Sequence, residues 1–503
     1  MIEVASKMTV SLNKIGDDNR VVANTKLDEK LRGKLGQFMS SSAVSSLLAQ
    51  MFETRDGEHR ILDAGAGVGS LTAAFVEHVK NSASSIDSTC FELSEILNEY
   101  LANTMQHCAK HCESVGIDWK SQIINEDFIS HSVNSLLSDD FKPKYNKAIL
   151  NPPYLKISAK SEERKALRKV NFETGNLYSA FVGLAIMLLE NGGELVAITP
   201  RSFCNGPYFN DFRRLIFENC SLNKIHVFNC RKSAFKTDKV LQENVVFHLT
   251  KGEAQRKMVV VTSSSCAEDP NPNIFEVPFA DVVSTNNPNR FIHIVTSKEE
   301  LSIAHRAGNL PCSLSDLGIQ ASTGKVVDFR TRENLSMDFV EGTVPLIFPQ
   351  HLQGASLKWP VIGGKKPNAL LNNPNTSSLL VKNGTYVLTR RLTAKEEKRR
   401  LIASIYSEDI ANVDVVGFEN KTNYFHAMGQ PLEPLLARGL WAFLNSTLID
   451  KYFRQLNGHT QVNATDLRIL SYPDMETLIS IGERVNISIF EQDMIDQIIE
   501  EFI

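Results

Sequence analysis

The chain lacks the features that mark membrane, secreted and low-complexity proteins. No run of about 18 apolar residues is present, which excludes a conventional transmembrane helix. The eight cysteines are scattered and no segment has the pattern of a signal peptide, so we expect free thiols and a cytoplasmic protein without membrane contact. Repeats are also absent, and 42% of the 503 residues are hydrophobic. This composition predicts a globular protein of about two to four domains.

A bias toward basic residues is missing as well. The formal net charge is -4, which counts against a protein that coats nucleic acid without sequence preference. Cations are concentrated locally, since the segment 382–400 carries seven Lys or Arg residues against two Glu residues. We expect this segment either to contact phosphate or to form a solvated helix face of mixed charge.

A glycine-rich loop links a short predicted strand, which ends at Asp63, to a helical pattern over 70–79. This arrangement is typical of a nucleotide-binding βα unit. Gly65, Gly67 and Gly69 permit positive φ and close backbone approach, while Asp63 places a carboxylate at the strand tip. The glycines are spaced by two each time, unlike the Gly-x-Gly-x-x-Gly spacing of dinucleotide sites, and this favours an adenosyl cofactor over NAD.

Two further acidic positions follow predicted strands. The strand 88–92 ends in Glu92, where a carboxylate can bind a ribose diol, although a solvated carboxylate that opens a helix would give the same pattern. Asp127 and Phe128 follow the strand-like segment 121–124. We expect Asp127 to accept a hydrogen bond from an adenine amine and Phe128 to cover the adenine ring.

The sequence Asn-Pro-Pro-Tyr at residues 151–154 stands at the end of another predicted strand. An isolated Pro-Pro pair is more often a simple turn. At the carboxyl end of a strand in an open α/β sheet, however, the motif lies where such sheets bind ligands. It combines the amide oxygen of Asn151, an exposed carbonyl at the rigid corner of Pro152 and Pro153, and the ring of Tyr154. Together these groups suit an exocyclic amine whose ring is stacked.

These motifs, in this order, resemble those of gamma-class adenine-specific DNA methyltransferases of type II restriction-modification systems. Gly36, Gln37 and Phe38 match the N-terminal Gly-Gln-Phe motif of that family, although residues 39–41 replace its usual second aromatic residue and Thr-Pro. The resemblance covers nearly the whole chain. Other segments with counterparts in the family are 176–181, 192–200, 240–246, 318–330 and 458–468.

The resemblance implies an α/β fold, with a Rossmann-like S-adenosylmethionine-dependent methyltransferase domain and a C-terminal mixed α+β target-recognition domain. It implies that the Asn151 amide oxygen and the Pro152 carbonyl accept the two amine protons of an adenine that has swung out of the duplex. Tyr154 would stack on that adenine, and Pro153 completes the motif. The residues implied in binding the cofactor are Gly36, Gln37, Phe38, Asp63, Gly65, Gly67, Glu92, Asp127 and Phe128.

The same resemblance implies duplex DNA as substrate, a functional pairing with a cognate restriction endonuclease and a monomeric enzyme. The candidate DNA-contacting residues are Arg330, Arg390, Arg391, Gln461 and Asn463. Two alternatives stay open. The Asn-Pro-Pro-Tyr motif also serves enzymes that methylate amines of ribosomal RNA or glutamine in proteins, although these usually lack a large C-terminal region. A non-catalytic DNA-binding module on the same fold is disfavoured by the intact Asp63, Gly65, Asn151 and Tyr154.

Metal and covalent cysteine chemistry are both disfavoured. His107, Cys108, His111 and Cys112 have helical spacing but lack the separated ligand pairs of a zinc finger, so we expect a helix that packs two thiols and exposes two histidines, and no metal site. The Pro-Cys pair at 311–312 lies far from the catalytic motifs, which argues against a covalent cysteine nucleophile.

Four segments are expected along the chain: a flexible N-terminal segment at 1–26, the catalytic domain at 27–265, a connecting segment at 266–312 and the target-recognition domain at 313–503. Asn- and Pro-rich turns predict the connecting segment. The last segment is expected to contain short strands, as at 344–348 and 386–388, and to end in helices around 438–453 and 487–502.

Overall fold

The computed structural model describes residues 11–27, 38–229, 243–283, 289–394, 396–457, 461–487 and 491–503. The chain divides into two compact units, Met1–Thr296 and Ser297–Ile503. The division falls inside the segment that the sequence predicts as a connector.

The first unit is built around a nine-stranded sheet with the strand order β3-β2-β1-β4-β5-β7-β6-β8-β9. The first five strands of that order are mutually parallel, and β7 runs antiparallel to β5 and β6. The strands are β1 (Gly57–Ala64), β2 (Ala83–Phe91), β3 (Asp118–Ile124), β4 (Tyr145–Leu150), β5 (Leu189–Pro200), β6 (Cys220–Phe228), β7 (Asn244–Lys251), β8 (Met258–Ser264) and β9 (Asn273–Pro278).

Helices flank this sheet. They are α1 (Leu12–Lys26), α2 (Ser42–Gln50), α3 (Ser70–Val79), α4 (Glu95–Val115), α5 (Phe128–Leu136), α6 (Glu162–Lys169), α7 (Leu177–Leu188), α8 (Asn210–Asn219) and α9 (Phe279–Val282). The predicted strand, glycine loop and helix around residue 63 are therefore confirmed, and so are the strands before Glu92, Asp127 and Asn151. Since β9 and α9 belong to the first unit, the predicted connector is not a separate linker.

The strand order places two sequence motifs side by side. β1 pairs with β2 on one side and with β4 on the other, so the direction in which strands are added reverses between β1 and β4. Such a switch point leaves a crevice at the carboxyl ends of the two strands. The glycine loop follows β1 and the Asn-Pro-Pro-Tyr motif follows β4. The Rossmann-like topology thus brings together motifs that are far apart in sequence.

The N-terminal segment differs from its prediction. Residues 12–26 form α1, which packs on α3 and α4, so a flexible segment is the wrong description for this range. The backbone N–H of Leu12 donates to Glu77 across 3.0 Å. Gly16 allows close approach to α3, since a Cβ there would lie 3.2 Å from the Cα of Ser70. The buried face of α1 consists of Leu12, Gly16, Arg20 and Ala23, so it contains only one large apolar residue and gives no regular apolar pattern in the sequence.

A buried ionic cluster ties the strands of the first unit together. Glu194 accepts from the ammonium of Lys147 at 2.6 Å and from the ring of His248 at 2.8 Å. It also accepts from the backbone N–H groups of Glu53 and Thr54. Burial by itself raises the pKa of Glu194, but the contacts with His248 and Lys147 outweigh it and hold the pKa well below its ordinary value.

The second unit contains three small sheets and six helices among its described residues. The strands are β10 (Gln320–Thr323), β11 (Leu335–Ser336), β12 (Thr343–Ile347), β13 (Leu352–Gln353), β14 (Ser356–Leu357), β15 (Ala369–Leu371), β16 (Leu380–Lys382), β17 (Tyr386–Arg390), β18 (Ala403–Tyr406), β19 (Val415–Phe418) and β20 (Thr422–His426). The helices are α10 (Lys298–Gly308), α11 (Pro434–Leu444), α12 (Thr447–Leu456), α13 (Ala464–Ile469), α14 (Met475–Arg484) and α15 (Gln492–Phe502). The predicted mixed α+β architecture is confirmed.

Two glycines allow α11 and α14 to pack in close contact. A Cβ on Gly439 would lie 1.8 Å from the carbonyl oxygen of Leu478, and one on Gly482 would lie 2.0 Å from that of Leu435. The helices around them surround a core that contains Trp441, which is 1% exposed. None of the helices in the described ranges is both long enough and apolar enough to span a bilayer.

Candidate active site

A cleft opens at the carboxyl ends of β1, β2 and β4. The empty volume of the cleft, including the part that is open to solvent, is about 810 Å³. The glycine loop, the end of β2, the start of α5 and the Asn-Pro-Pro-Tyr motif all contribute to its walls. The lining residues are Phe38, Met39, Ser40, Gly65, Ala66, Gly67, Val68, Ser70, Leu71, Phe91, Glu92, Leu93, Leu97, Glu126, Phe128, Asn151, Pro153 and Phe181.

The glycine loop adopts the backbone that its sequence predicts. Gly65, Gly67 and Gly69 have φ values of 77°, 58° and 82°, in the region that L side chains rarely adopt. A Cβ on Gly69 would also lie 2.8 Å from Leu101 Cδ1. Gly65 and Gly67 line the cleft, where they present backbone rather than side chains.

Asp63 differs from its expected position. It is fully buried behind the glycine loop, it does not line the cleft, and its Oδ2 accepts from the Thr72 hydroxyl at 2.7 Å. Burial raises the pKa of Asp63 to about 7, against the lowering effect of its hydrogen bonds to Thr72. The other oxygen, Oδ1, is buried and has no hydrogen-bond partner among the described residues. We therefore expect Asp63 to support the loop rather than to touch a ligand.

Glu92 lies where the sequence predicts, at the end of β2 and in the wall of the cleft. Its Oε2 accepts from the backbone N–H of Gly67 at 2.9 Å, and its Oε1 accepts from that of Ser94 at 2.8 Å. Burial raises the pKa of Glu92, while these hydrogen bonds lower it. The carboxylate thus holds the glycine loop and faces the cleft at the same time.

Asp127 and Phe128 have separate roles. Asp127 caps α5, since its Oδ1 accepts from the backbone N–H of Ser130 at 2.8 Å, and the residue does not line the cleft. Its neighbour Glu126 lines the cleft instead. Phe128 lines the cleft as expected and is 2% exposed. The contact of Asp127 with an adenine amine therefore stays a prediction, and Glu126 is an additional candidate at the cleft.

Two aromatic residues of the cleft were missed by the sequence reasoning. The ring of Phe128 packs against Phe91 at 5.1 Å and against Phe181 at 5.0 Å between centroids. Phe91 is the last residue of β2, and Phe181 lies in the first turns of α7, which begins after Asn176. An aromatic residue directly before Glu92 was a usable signal for the first of them. Phe181 ends the segment 176–181, which has a counterpart in the family, but only the fold shows that α7 reaches the cleft.

The side chain of Asn151 is fixed by several hydrogen bonds. Its Nδ2 donates to the carbonyl oxygen of Phe38 at 2.7 Å and to the hydroxyl of Ser40 at 3.0 Å. Its Oδ1 lies 3.1 Å from the hydroxyl of Tyr154, which donates to it. Asn151 therefore holds its amide in one orientation, with the oxygen as the acceptor that remains for a ligand.

The remaining residues of the motif are arranged around this amide. Tyr154 is half-buried, and its hydroxyl lies 3.3 Å from the carbonyl oxygen of Ile198. Burial raises the pKa of that hydroxyl well above its ordinary value. Pro153 lines the cleft, whereas Pro152 is buried and does not. The structure thus brings Phe38, a cofactor candidate, to within hydrogen-bonding distance of the Asn-Pro-Pro-Tyr motif. Gly36 and Gln37 lie outside the described residues.

Three of the candidate DNA-contacting residues lie together in the second unit. The Arg391 guanidinium donates to the carbonyl oxygen of Asn420 at 3.1 Å and to Oδ1 of Asn463 at 3.5 Å. Gln461 is exposed and forms a β-bridge with Leu392. The side chains of the two others make different contacts. Arg390 donates to the carbonyl oxygen of Leu352. Arg330 is exposed, with its guanidinium 5.6 Å from the ring centroid of Phe329.

The basic segment 382–400 is not one exposed face. Arg400 is fully buried and donates to Thr393 and Asn457. Arg399 is half-buried and donates to Gln492. The described residues between Glu396 and Arg400 form no helix, so the alternative of a solvated helix face is wrong. Contact of this segment with phosphate stays a prediction.

On α4 the predicted burial of the two cysteines is confirmed, whereas the two histidines are less exposed than expected. Cys108 and Cys112 are buried, and His107 and His111 are half-buried on the same helix. Within the described parts of the chain, no cluster of His, Cys, Asp and Glu has the arrangement of a metal site. The described cysteines are all free thiols.

The chain is similar in sequence to known restriction-modification methyltransferases. Residues 43–235 match the family model described as Eco57I restriction-modification methylase. The type II methyltransferase M.PstI of Providencia stuartii is 64% identical over 502 residues, covering 100% of this chain and 99% of that protein. The type II methyltransferase M.BsuBI of Bacillus subtilis is 43% identical and covers 97% of each chain.

Among solved structures, the type IIL restriction-modification enzyme MmeI, determined in complex with DNA, has a similar fold. Its TM-score is 0.55 at 11% sequence identity, and the match covers 98% of this chain and 73% of MmeI. The fold, the two adjoining motifs and the full-length similarity to two type II enzymes lead to one assignment. The chain belongs to the family of type II methyltransferases of restriction-modification systems.

Proposed function

We propose that this enzyme transfers a methyl group from S-adenosylmethionine to the exocyclic amine of adenine within a short duplex DNA sequence. The modification would protect that sequence from a cognate restriction endonuclease. The observation that carries the proposal is the fixed amide of Asn151. Its nitrogen is committed to Phe38 and Ser40, so its oxygen is the acceptor that faces an incoming amine.

The lining of the cleft fits the proposed cofactor. The carboxylates of Glu92 and Glu126 suit a group that carries positive charge and ribose hydroxyls, and the rings of Phe91, Phe128 and Phe181 suit an adenine. The backbone at Gly65 and Gly67 admits a ligand to close approach. When bound, S-adenosylmethionine would supply an electrophilic methyl group on its sulfonium sulfur.

The catalytic motif supplies orientation and hydrogen-bond acceptance. Oδ1 of Asn151 and the carbonyl oxygen of Pro152 would accept the two amine protons, which keeps the nitrogen lone pair from delocalising into the adenine ring. The half-buried ring of Tyr154 would stack on the base after it leaves the duplex. An amide is a poor base, so these residues position the amine and polarise it rather than deprotonate it.

The second unit supports DNA rather than RNA or protein as the acceptor. It comprises residues 297–503 and is shared with relatives named as type II methyltransferases over nearly their whole length. Arg330, Arg391 and Gln461 are our candidates there for contacts with DNA. Methyltransferases of ribosomal RNA amines or of protein glutamine usually lack a large C-terminal region of this kind.

The proposal is tested with Asn151→Ala. We expect it to lower the methyl-transfer rate at saturating cofactor by about 10²–10³-fold, because an acceptor preorganised for the reacting amine is lost. Cofactor affinity, measured by calorimetry, should stay nearly unchanged. Asn134→Ala, an exposed position on α5, is the matched control and should keep the wild-type rate. Strong residual methylation by Asn151→Ala would contradict the proposed role.

A further inference from the structure

We propose that Ser40 is a positioning residue for Asn151, and that its hydroxyl holds the plane of the Asn151 amide in the geometry in which Oδ1 faces the substrate. This inference rests on the proposed adenine methyltransferase function and adds a residue that acts through the motif without belonging to it. Ser40 precedes α2 and is 4% exposed. It lies far from Asn151 in sequence and 3.0 Å from its amide nitrogen in the fold.

The geometry gives Ser40 a specific task. An asparagine amide can turn by 180°, which exchanges its donor and its acceptor. Nδ2 of Asn151 has two protons and faces two acceptors, the carbonyl oxygen of Phe38 and the hydroxyl of Ser40. If the amide were turned, Oδ1 would face the Phe38 carbonyl oxygen, and two acceptors would repel each other. The Phe38 carbonyl oxygen, which can only accept, therefore selects the orientation in which Oδ1 is presented to an amine, and the Ser40 hydroxyl holds the second Nδ2 proton and with it the plane of the amide.

The opposite side of the amide leaves room for the substrate. Oδ1 of Asn151 has two lone pairs, and the hydroxyl of Tyr154 at 3.1 Å takes one of them. The second lone pair is then available for an amine proton. Without the Ser40 contact, Nδ2 would keep only the Phe38 carbonyl oxygen, and the amide plane could tilt away from the reacting geometry.

Ser40 is itself held firmly. The next residue, Ser41, caps α2 through a hydrogen bond from the backbone N–H of Val44. The backbone N–H of Ser42 donates to Asp17 of α1 at 3.2 Å. This anchoring is the reason that a single hydroxyl can fix the orientation of its partner. It also gives α1, which the sequence did not predict, a part in shaping the site.

The test compares three variants in single-turnover transfer of tritiated methyl to unmethylated bacterial genomic DNA. Ser40→Ala should lower the rate at saturating cofactor by about tenfold, the equivalent of one hydrogen bond. Cofactor affinity should change by less than about threefold, because the hydroxyl acts on Asn151. Ser40→Thr, which restores a hydroxyl, should recover most of the rate. Asn134→Ala, the exposed control position on α5, removes no contact of Ser40 or Asn151 and should keep the wild-type rate.

The outcomes separate the inference from the function on which it rests. A wild-type enzyme that does not methylate adenine would overturn the proposed function. An active wild type with an equally active Ser40→Ala variant would overturn the role of Ser40, as would a loss that appears only in cofactor affinity. If Ser40→Ala does not fold, Ser40→Cys replaces it, since a thiol has a similar shape but is a weak acceptor; a Ser40→Cys rate equal to that of the wild type would then reject the inference.

Discussion

The hydroxyl of Tyr154 lies 3.1 Å from Oδ1 of Asn151, so two residues of one tetrapeptide are joined by their side chains as well as by the chain. Tyr154 thus combines a partly exposed ring with a hydroxyl that is directed inward. These two parts can be separated by mutation, because phenylalanine keeps the ring and loses the hydroxyl.

We expect Tyr154→Ala to weaken capture of the flipped adenine by about 1–3 kcal/mol, the usual contribution of stacking between a base and an aromatic ring. Tyr154→Phe should still capture the adenine, because the ring is kept. It loses the hydrogen bond from the hydroxyl to Asn151, and we expect this loss to lower the transfer rate by about tenfold or less. Fluorescence of an adenine analogue at the target position reports the capture. An equal fluorescence response in both variants would argue against a stacking role for Tyr154.

The pKa of Asp63 gives a pH dependence of stability with a defined sign. Its folded-state pKa is raised from 3.8 to about 7, so the folded protein holds a proton that the unfolded chain releases. The contribution of Asp63 to stability is fully present below pH 3.8 and is lost as the pH rises through about 7. The loss has a maximum slope of about 1.4 kcal/mol per pH unit.

Asp63→Asn should remove this dependence, since an amide of the same shape does not ionise. The measurement is the free energy of unfolding in urea between about pH 5 and pH 8, which is roughly the range in which the Asp63 carboxyl titrates in the folded protein. Burial raises the pKa of Glu92 too, so the informative quantity is the difference between wild type and variant at each pH. A difference that is constant across this range would mean that Asp63 is not protonated in the folded protein.

Substitution of Glu194, at the centre of the buried ionic cluster, should lower the free energy of unfolding strongly. Glu194→Gln would leave Lys147 buried without its carboxylate, and breaking such a pair from one side costs about 3–5 kcal/mol. Glu190→Gln on the same strand is the matched control, because its pair with Arg60 is partly exposed and is worth about 0–1 kcal/mol. Chemical denaturation of the two variants measures both values. Equal losses would show that burial does not distinguish the two pairs.

Alanine substitutions of an exposed and of a buried arginine in the second unit should have different consequences. Arg330→Ala should reduce the slope of log affinity for DNA against log salt by about one, if this exposed side chain neutralises one phosphate. Arg400→Ala should instead lower thermal stability and leave the slope unchanged, because Arg400 is fully buried. Titration of DNA at several salt concentrations measures the slope. A wild-type slope for the Arg330 variant would remove Arg330 from the candidate DNA contacts.

The parts of the fold that were predictable are those with local signals. The strand that ends at Asp63, the glycines with positive φ and the helix after them follow from composition and spacing, and the structure confirms them. The role of α1 was not predictable, because its buried face includes Gly16 and Arg20 in place of a regular apolar stripe.

The candidate site was predictable only as a set of separate motifs. The sequence indicates Asn151 and the glycine loop, but their proximity depends on the reversal of strand order between β1 and β4. The choice between Glu126 and Asp127 depends on which carboxylate caps α5. The contact between Ser40 and Asn151 is a tertiary hydrogen bond, and no local pattern in the sequence predicts it.

The most direct test of the central claim is to sequence modified bases in DNA from cells that express either the wild-type enzyme or Asn151→Ala. We expect the wild-type DNA to carry methyl groups on the exocyclic amine of adenine within a single short duplex sequence, and the variant DNA to carry almost none. Methylation of cytosine, or methyl groups found only in RNA or protein, would contradict the proposed function. Equal adenine methylation by the variant would contradict the role of Asn151.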